Sequence, residues 1–415
     1  MRVLLLAPWV DATDVGEAFV AYKWADALSK KVDLTLLAFQ RPGRPSVADQ
    51  LPRARVVTWP EPDWFLRFER LNAMLKPGYP VYARHVRRWL ARHGQAFDIA
   101  HQLMPLAARY ASPLRHGPLP YLIGPLGGTL ETPAAFRAET GSAPLFTRLR
   151  RLDRLRFAFD PGLRETYRKA AIVLGVAPYM GLALEGVGLR RFEVMLELGI
   201  DELPELPRRA AEGPSEDPSP HQPRPGLRLL HVGRAVRTKG LREVVRAMAR
   251  HGDLADVRLT AAGDGEELGP CRAEAAALGV ADRIDFLGRV PRARIEALYA
   301  ESDVFVFPSF REPTGGVLYE AMRWGLPVVT VAHGGPDWIV DASCGIKIPV
   351  TTPGRMPDDI AQAVRRLAGD PALRAQLGEG ARAKLAREAL WPAKAERMAG
   401  LYAEALAAPC AGRPG

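Results

Sequence analysis

LRLLHVG at residues 227–233, DVRLTAAG at 256–263, RIDFLG at 283–288, DVFVFP at 303–308 and LPVVTV at 326–331 decide the fold of this chain. Helical patterns follow the first four of these runs, beginning at Leu241, Glu266, Arg292 and Gly316. Short apolar strands alternating with helices read as a parallel sheet with crossover helices. Each run is apolar enough for burial on both faces, which predicts a doubly wound α/β domain. Ligands of such sheets bind outside the carboxyl ends of the strands.

Upstream the same alternation is fainter, with strands expected at 3–7, 33–38, 55–58, 99–102, 119–123 and 171–174. Between 204 and 226 the sequence turns to PELPRRAAEGPSEDPSPHQPRPG, too rich in Pro and charge to build a core. The expected organisation is a first Rossmann-like domain at 1–206, a linker at 207–226 and a second domain at 227–390. Residues 391–415 carry helical spacing at Met398, Leu401, Tyr402 and Ala405, so this tail is a candidate to cross back to the first domain.

A length of 415 residues suits two or three domains, and 47% hydrophobic with 25% charged residues is a soluble globular composition. The opening MRVLLLAPWV reads as a buried strand rather than a signal peptide, because its apolar run is short and Asp11 and Asp14 soon follow. No run is long enough to cross a bilayer. Cys271, Cys344 and Cys410 lie too far apart for a metal knuckle or a disulfide framework, which fits reduced thiols in a cytoplasm. The net charge of +10 comes from 48 Arg and nine Lys, with a single Asn, a bias that a GC-rich bacterial genome produces. No nucleic-acid motif accompanies it.

Two segments of the second domain carry chemistry. GRAVRTKG at 233–240 groups Gly233, Arg234 and Lys239 where a strand gives way to a helix. An Arg fork and a Lys point charge there suit a diphosphate, and a solvated basic loop is the alternative. FREPTGGVLYEAMRWGLPVV at 310–329 sets Glu312 and Glu320 around a Thr314-Gly315-Gly316 turn that opens a helix. Backbone N–H groups at such a helix start can hold an anion. Two carboxylates could also be a glycosidase pair, or a turn cap and a solvated helix residue.

GRxxxxKG, a strand ending AAGDG, FLGRVP before a helix, and Glu-x7-Glu before GLPVV stand in one order over about 227–350. In that order they resemble the second domain of family 4 glycosyltransferases, retaining enzymes of the GT-B fold with two Rossmann-like domains facing across a cleft. The resemblance implies that Arg234 and Lys239 bind and neutralise a donor diphosphate and that Glu320 bonds the ribose hydroxyls. It implies that Glu312 faces the donor sugar, that the amides of Gly315, Gly316 and Val317 meet sugar and phosphate oxygens, and that Gly288, Arg289 and Val290 contact the base. The family usually has an aromatic residue where this chain has Thr314, a departure that touches the identity of the sugar.

In the first domain the resemblance assigns Gly16, beside Glu17, to the loop near the donor phosphates. FDIAHQLMP at 97–105 matches the family's Asp-x-x-His-x-His at Asp98 and His101, with Leu103 in place of the second His. His101 or Gln102 then takes the sugar contact, or His101 is a satisfied strand-end residue; both readings stand. Gly127 and Gly128 follow a strand on the acceptor side, and ELGID at 197–201 keeps only Gly199 and Asp201 of a further family segment.

Residues 1–206 hold 28 basic and 21 acidic residues, and the stretches 62–90 and 145–160 mix Arg with Trp, Phe and Leu. They read either as amphipathic surfaces for an anionic membrane or as helices whose apolar faces turn inward. The expectation is a cytoplasmic glycosyltransferase, with peripheral contact at the inner membrane face as one of its readings. It would use a UDP- or GDP-type sugar, with no metal or other cofactor, on a glycan, lipid-linked or small-molecule acceptor. A nucleotide-sugar binder without turnover and an epimerase are the alternatives.

Overall fold

The computed structural model describes residues 1–62, 76–140, 152–206, 226–250 and 254–408. Most of the expected linker therefore lies outside the described residues, as do 63–75 and 145–151 of the two Arg-rich stretches and Cys410. The chain divides into two compact units. One comprises Met1–Thr129, Pro144–Gly199 and Leu390–Gly415, and the other Leu130–Ala143 and Ile200–Ala389.

The first unit carries β1 (Arg2–Leu6), β2 (Asp33–Gln40), β3 (Arg55–Pro60), β4 (Ile99–Gln102), β5 (Tyr121–Leu126), β6 (Ile172–Gly175) and β7 (Phe192–Val194). They form one sheet in the order β3-β2-β1-β4-β5-β6-β7, with every pairing parallel. The chain reverses its direction of winding between β1 and β4; the loop after β1 carries Gly16, and β4 ends on His101 and Gln102, with Leu103 next. Packed on the sheet is the helix Glu17–Ser29, which meets the last helix, Trp391–Ala407, through Trp24 and Trp391, their rings edge to face at 5.5 Å. Met398, Leu401, Tyr402 and Ala405 are all buried in this core, so their helical spacing marks a face turned to the first unit.

The second unit carries β8 (Arg228–Val232), β9 (Arg258–Ala262), β10 (Ile284–Gly288), β11 (Val304–Phe307), β12 (Val328–Val331) and β13 (Gly345–Ile348). Their order is β10-β9-β8-β11-β12-β13, again all parallel, with the winding reversed between β8 and β11. Burial on both faces holds for β11 and β12. It fails for RIDFLG: β10 is the sheet edge, and its Asp285 and Leu287, which share one face of the strand, are exposed.

Residues 130–143 belong to the second unit although their neighbours on both sides belong to the first, a departure from the domain boundary expected at 206. Phe136 explains it. Its ring is fully buried in the second unit's core and stacks on Phe310 at 4.1 Å.

Candidate functional site

In the second unit the predicted residues gather at the carboxyl ends of β8, β10 and β11. Gly233 and Arg234 leave β8, a short turn Arg237–Lys239 follows, and Gly240 starts the helix Leu241–Met248. Only glycine fits at 240: φ is 76°, and a Cβ would come within 2.3 Å of the Pro308 carbonyl oxygen at the exit of β11. That close approach, with Ser309 Oγ donating to the Thr238 carbonyl at 3.0 Å, binds the two strand exits together. As a result the Lys239 ammonium donates to Glu312 Oε2. Both side chains are largely buried, and the ammonium lies 5.6 Å over the Phe307 ring.

Arg234 is exposed and, among the described residues, pairs with no carboxylate. Thr314 is half-buried, and Gly315, at φ 99°, caps the helix Gly316–Arg323. The first-turn N–H groups of that helix, including Gly316 and Val317, have no partner within it. One turn further on, Glu320 accepts from the Tyr299 hydroxyl at 3.2 Å. Gly288, Arg289 and Val290 lie at the end of the edge strand β10, about 10 Å (two strand spacings) from the exit of β8. An exposed guanidinium, an ammonium paired with a carboxylate and an open helix start thus lie at the carboxyl ends of the central strands, groups whose chemistry suits an anion.

Sequence reasoning missed the group that holds this loop. Arg237 is 7% exposed and bonds Glu243 twice, at 2.8 and 2.5 Å, while Glu139 accepts from its Nε at 3.0 Å and also from Nη2. Its guanidinium lies 5.3 Å from the Phe310 ring and 5.7 Å from that of Phe136. Burial works against its charge, but Glu243 and Glu139 outweigh that and hold its pKa above the ordinary value. His231 supports the same turn with a contact of 3.2 Å from Nε2 to the Lys239 carbonyl oxygen. Burial lowers the His231 pKa to about 4. Partners 98 residues apart, as Arg237 and Glu139 are, leave no periodic signal.

The first unit requires a correction. His101 has no exposed surface: its Nε2 lies 2.6 Å from the Gly124 carbonyl oxygen and its Nδ1 2.6 Å from the Tyr402 hydroxyl. A carbonyl only accepts, so Nε2 carries the proton and Nδ1 accepts from Tyr402. Burial lowers the His101 pKa to about 4, against a smaller opposing effect of the Gly124 bond. Of the two readings of His101, the satisfied strand-end residue is the one this geometry allows. Gln102 is also buried, with Oε1 accepting from Tyr79 at 3.2 Å.

Gly16, at φ 67° and with open space around it, caps Glu17–Ser29, and Glu17 pairs with Lys76 at 2.8 Å. Gly127 bridges to Ala107, and Gly128, at φ 101°, faces open space. Of the Arg-rich stretches, the helix Tyr79–His93 turns Tyr79, Tyr82 and Val86 inward. The helix Leu152–Phe159 instead leaves Leu155 and Phe159 exposed. Among the described residues no helix is long and apolar enough to cross a membrane.

Two all-parallel Rossmann-like units with this strand order are those of the GT-B fold. Residues 216–384 match the family model described as glycosyl transferases group 1. Sucrose-phosphate synthase from Thermosynechococcus elongatus superposes with a TM-score of 0.64 at 20% identity, over 98% of this chain and 99% of that one. Anabaena HepE in complex with UDP does so at 0.60 and 17% identity, over 97% and 100%. In sequence, the lipopolysaccharide core biosynthesis glycosyltransferase LpsE of Rhizobium meliloti is 34% identical over 152 residues, 36% of this chain. That match spans 42% of the relative's own length.

Proposed function

We propose that this chain is a retaining glycosyltransferase that moves a sugar from a nucleoside diphosphate to an acceptor hydroxyl. The observation that carries the reading is the meeting of Lys239 and Glu312 at the exits of β8 and β11, with exposed Arg234 on the same loop as Lys239. Arg234 and Lys239 would bind the diphosphate, Glu312 would take a hydroxyl of the sugar, and Glu320 would take the ribose. The bond from the sugar's anomeric carbon to the diphosphate breaks, and the acceptor oxygen bonds that carbon on the face the diphosphate leaves. The acceptor proton passes to a departing phosphate oxygen. Preorganised cations facing the charge that develops need no protein nucleophile and no divalent metal.

A uridine donor is supported by the UDP-bound neighbour, with a guanosine donor as the alternative. A lipid-linked glycan acceptor is supported by the name of the lipopolysaccharide relative. Such an acceptor suits a cytoplasmic enzyme held at the inner membrane face, where exposed Leu155 and Phe159 beside Arg156 would make the contact. Cosedimentation with anionic vesicles tests that contact, and no binding even at low salt refutes it.

The transfer itself is tested by incubating the protein with UDP- and GDP-sugars and lipid-linked or small-molecule acceptors. A product with the donor's anomeric configuration is the expected result. Binding without turnover would make the chain a nucleotide-sugar binder, and an isomerised donor would make it an epimerase. Neither binding nor turnover refutes the proposal.

A further inference from the structure

Among the described residues, the Glu320 carboxylate accepts one hydrogen bond, from Tyr299. Tyr299, on the helix Arg292–Glu301, is 1% exposed, and its ring packs 5.8 Å from that of Phe305. Its hydroxyl donates to Glu320 Oε2 at 3.2 Å, while Arg292 Nη1 stands 3.7 Å from Oε1, beyond hydrogen-bond distance. Arg292 is well exposed, so water screens its pull. The same two helices are joined a turn away through Glu296, which accepts from Trp324 Nε1 at 2.9 Å and from the Arg323 guanidinium. The helix Arg292–Glu301 thus forms a fixed wall behind the helix that carries Glu320.

We infer that Tyr299 is a positioning residue, which engages Oε2 of Glu320 and leaves Oε1 presented to a vicinal diol, the ribose of the donor nucleotide. The inference rests on the ribose reading of Glu320 given above. A carboxylate accepts about four hydrogen bonds, and Tyr299 uses one of them on the buried side. The phenol stays protonated there, since burial and the adjacent Glu320 both raise its pKa well above the ordinary value. It is therefore a fixed donor. Without it, the partly exposed Glu320 would be free to rotate toward Arg292, and the diol would meet a carboxylate that is no longer aimed.

The test uses the full-length protein, titrated calorimetrically with UDP and GDP and then with the 2′-deoxy form of the one that binds. Tyr299→Phe keeps the ring and removes only the donor, so equal melting temperatures are expected. The variant should weaken binding of the ribonucleotide about three- to tenfold, as for loss of one ordinary hydrogen bond, and should weaken the deoxy form less. In a Glu320→Ala background the same change should add nothing, because Tyr299 acts through that carboxylate.

Three results overturn the inference alone, given that Glu320→Ala weakens binding. One is an unchanged affinity in Tyr299→Phe. Another is an equal loss for both sugars. The last is an undiminished effect in the Glu320→Ala background, which would mark a merely structural role. If Glu320→Ala itself binds like the wild type, or the wild type binds neither nucleotide, the ribose reading falls and takes the inference with it.

Discussion

Replacing Arg237 by Met should unsettle the second unit more than any other single change in the loop at 233–240. The substitution keeps an unbranched apolar stem in the space beside Phe136 and Phe310 and deletes the charge. Glu243 has no exposed surface and would lose both of its guanidinium bonds, and the next cation, Arg246, stands 3.9 Å away. Stranding one member of a buried pair costs about 3–5 kcal/mol. Glu139 is partly exposed and recovers water, so the lower half of that range is expected, about 3–4 kcal/mol. Urea unfolding of the full-length protein gives the loss. Hydrogen exchange should localise it to residues 130–140 and 227–250, since Arg237 joins exactly those two stretches. Arg237→Met/Glu243→Met should regain most of the stability, because a buried pair exchanged for packed apolar groups is often neutral. A loss below about 1 kcal/mol in the single variant, or a double variant worse than the single, would refute the argument.

Lys239→Ala should lower kcat about a hundredfold or more while donor affinity falls much less, because the ammonium is worth most as charge develops on the leaving diphosphate. Steady-state kinetics with the preferred nucleotide sugar measures this, and an unchanged kcat would remove Lys239 from the mechanism. His101 and His231 are buried neutral with pKa values near 4, below the 6.5 of an exposed imidazole. Between those values the unfolded chain binds protons that the native one does not, so stability is full above pH 6.5 and is lost as pH falls toward 4. Each histidine contributes about 1.4 kcal/mol per pH unit over that window. Imidazole NMR at pH 5 should find two neutral rings, and titration of all rings near pH 6.5 would refute the burial argument.

The strands could be read from the sequence because apolar runs of four to eight residues between helices have few other solutions. β7 and β13 escaped, since FEV and GIKI are short, carry charge and lie at sheet edges. Within the site, motif spacing marked Lys239 and Glu312, and the sheet's reversal between β8 and β11 explains why these two side chains, 73 residues apart in the chain, meet. Arg237 and Tyr299 were invisible for the opposite reason. Their meaning lies in Glu139, Glu243 and Glu320, reached through tertiary packing rather than through any period along the chain.

His101 and Leu103 are better understood together than apart. They are two residues apart where β4 ends, and Leu103 N–H still donates to the Leu6 carbonyl at 3.0 Å, which extends the pairing with β1 by one residue. Alternation along a strand therefore puts both side chains on one face. That face is closed by the last helix: Tyr402 bonds His101, and Leu103 lies in the same core as Met398 and Leu401. A second imidazole at 103 would have entered an apolar core, where a polar ring without partners costs free energy. The apolar residue at 103 and the burial of His101 are thus two consequences of one packing arrangement. The decisive partner, Tyr402, stands 301 residues from His101, so a local motif match could propose the histidine but not decide its role.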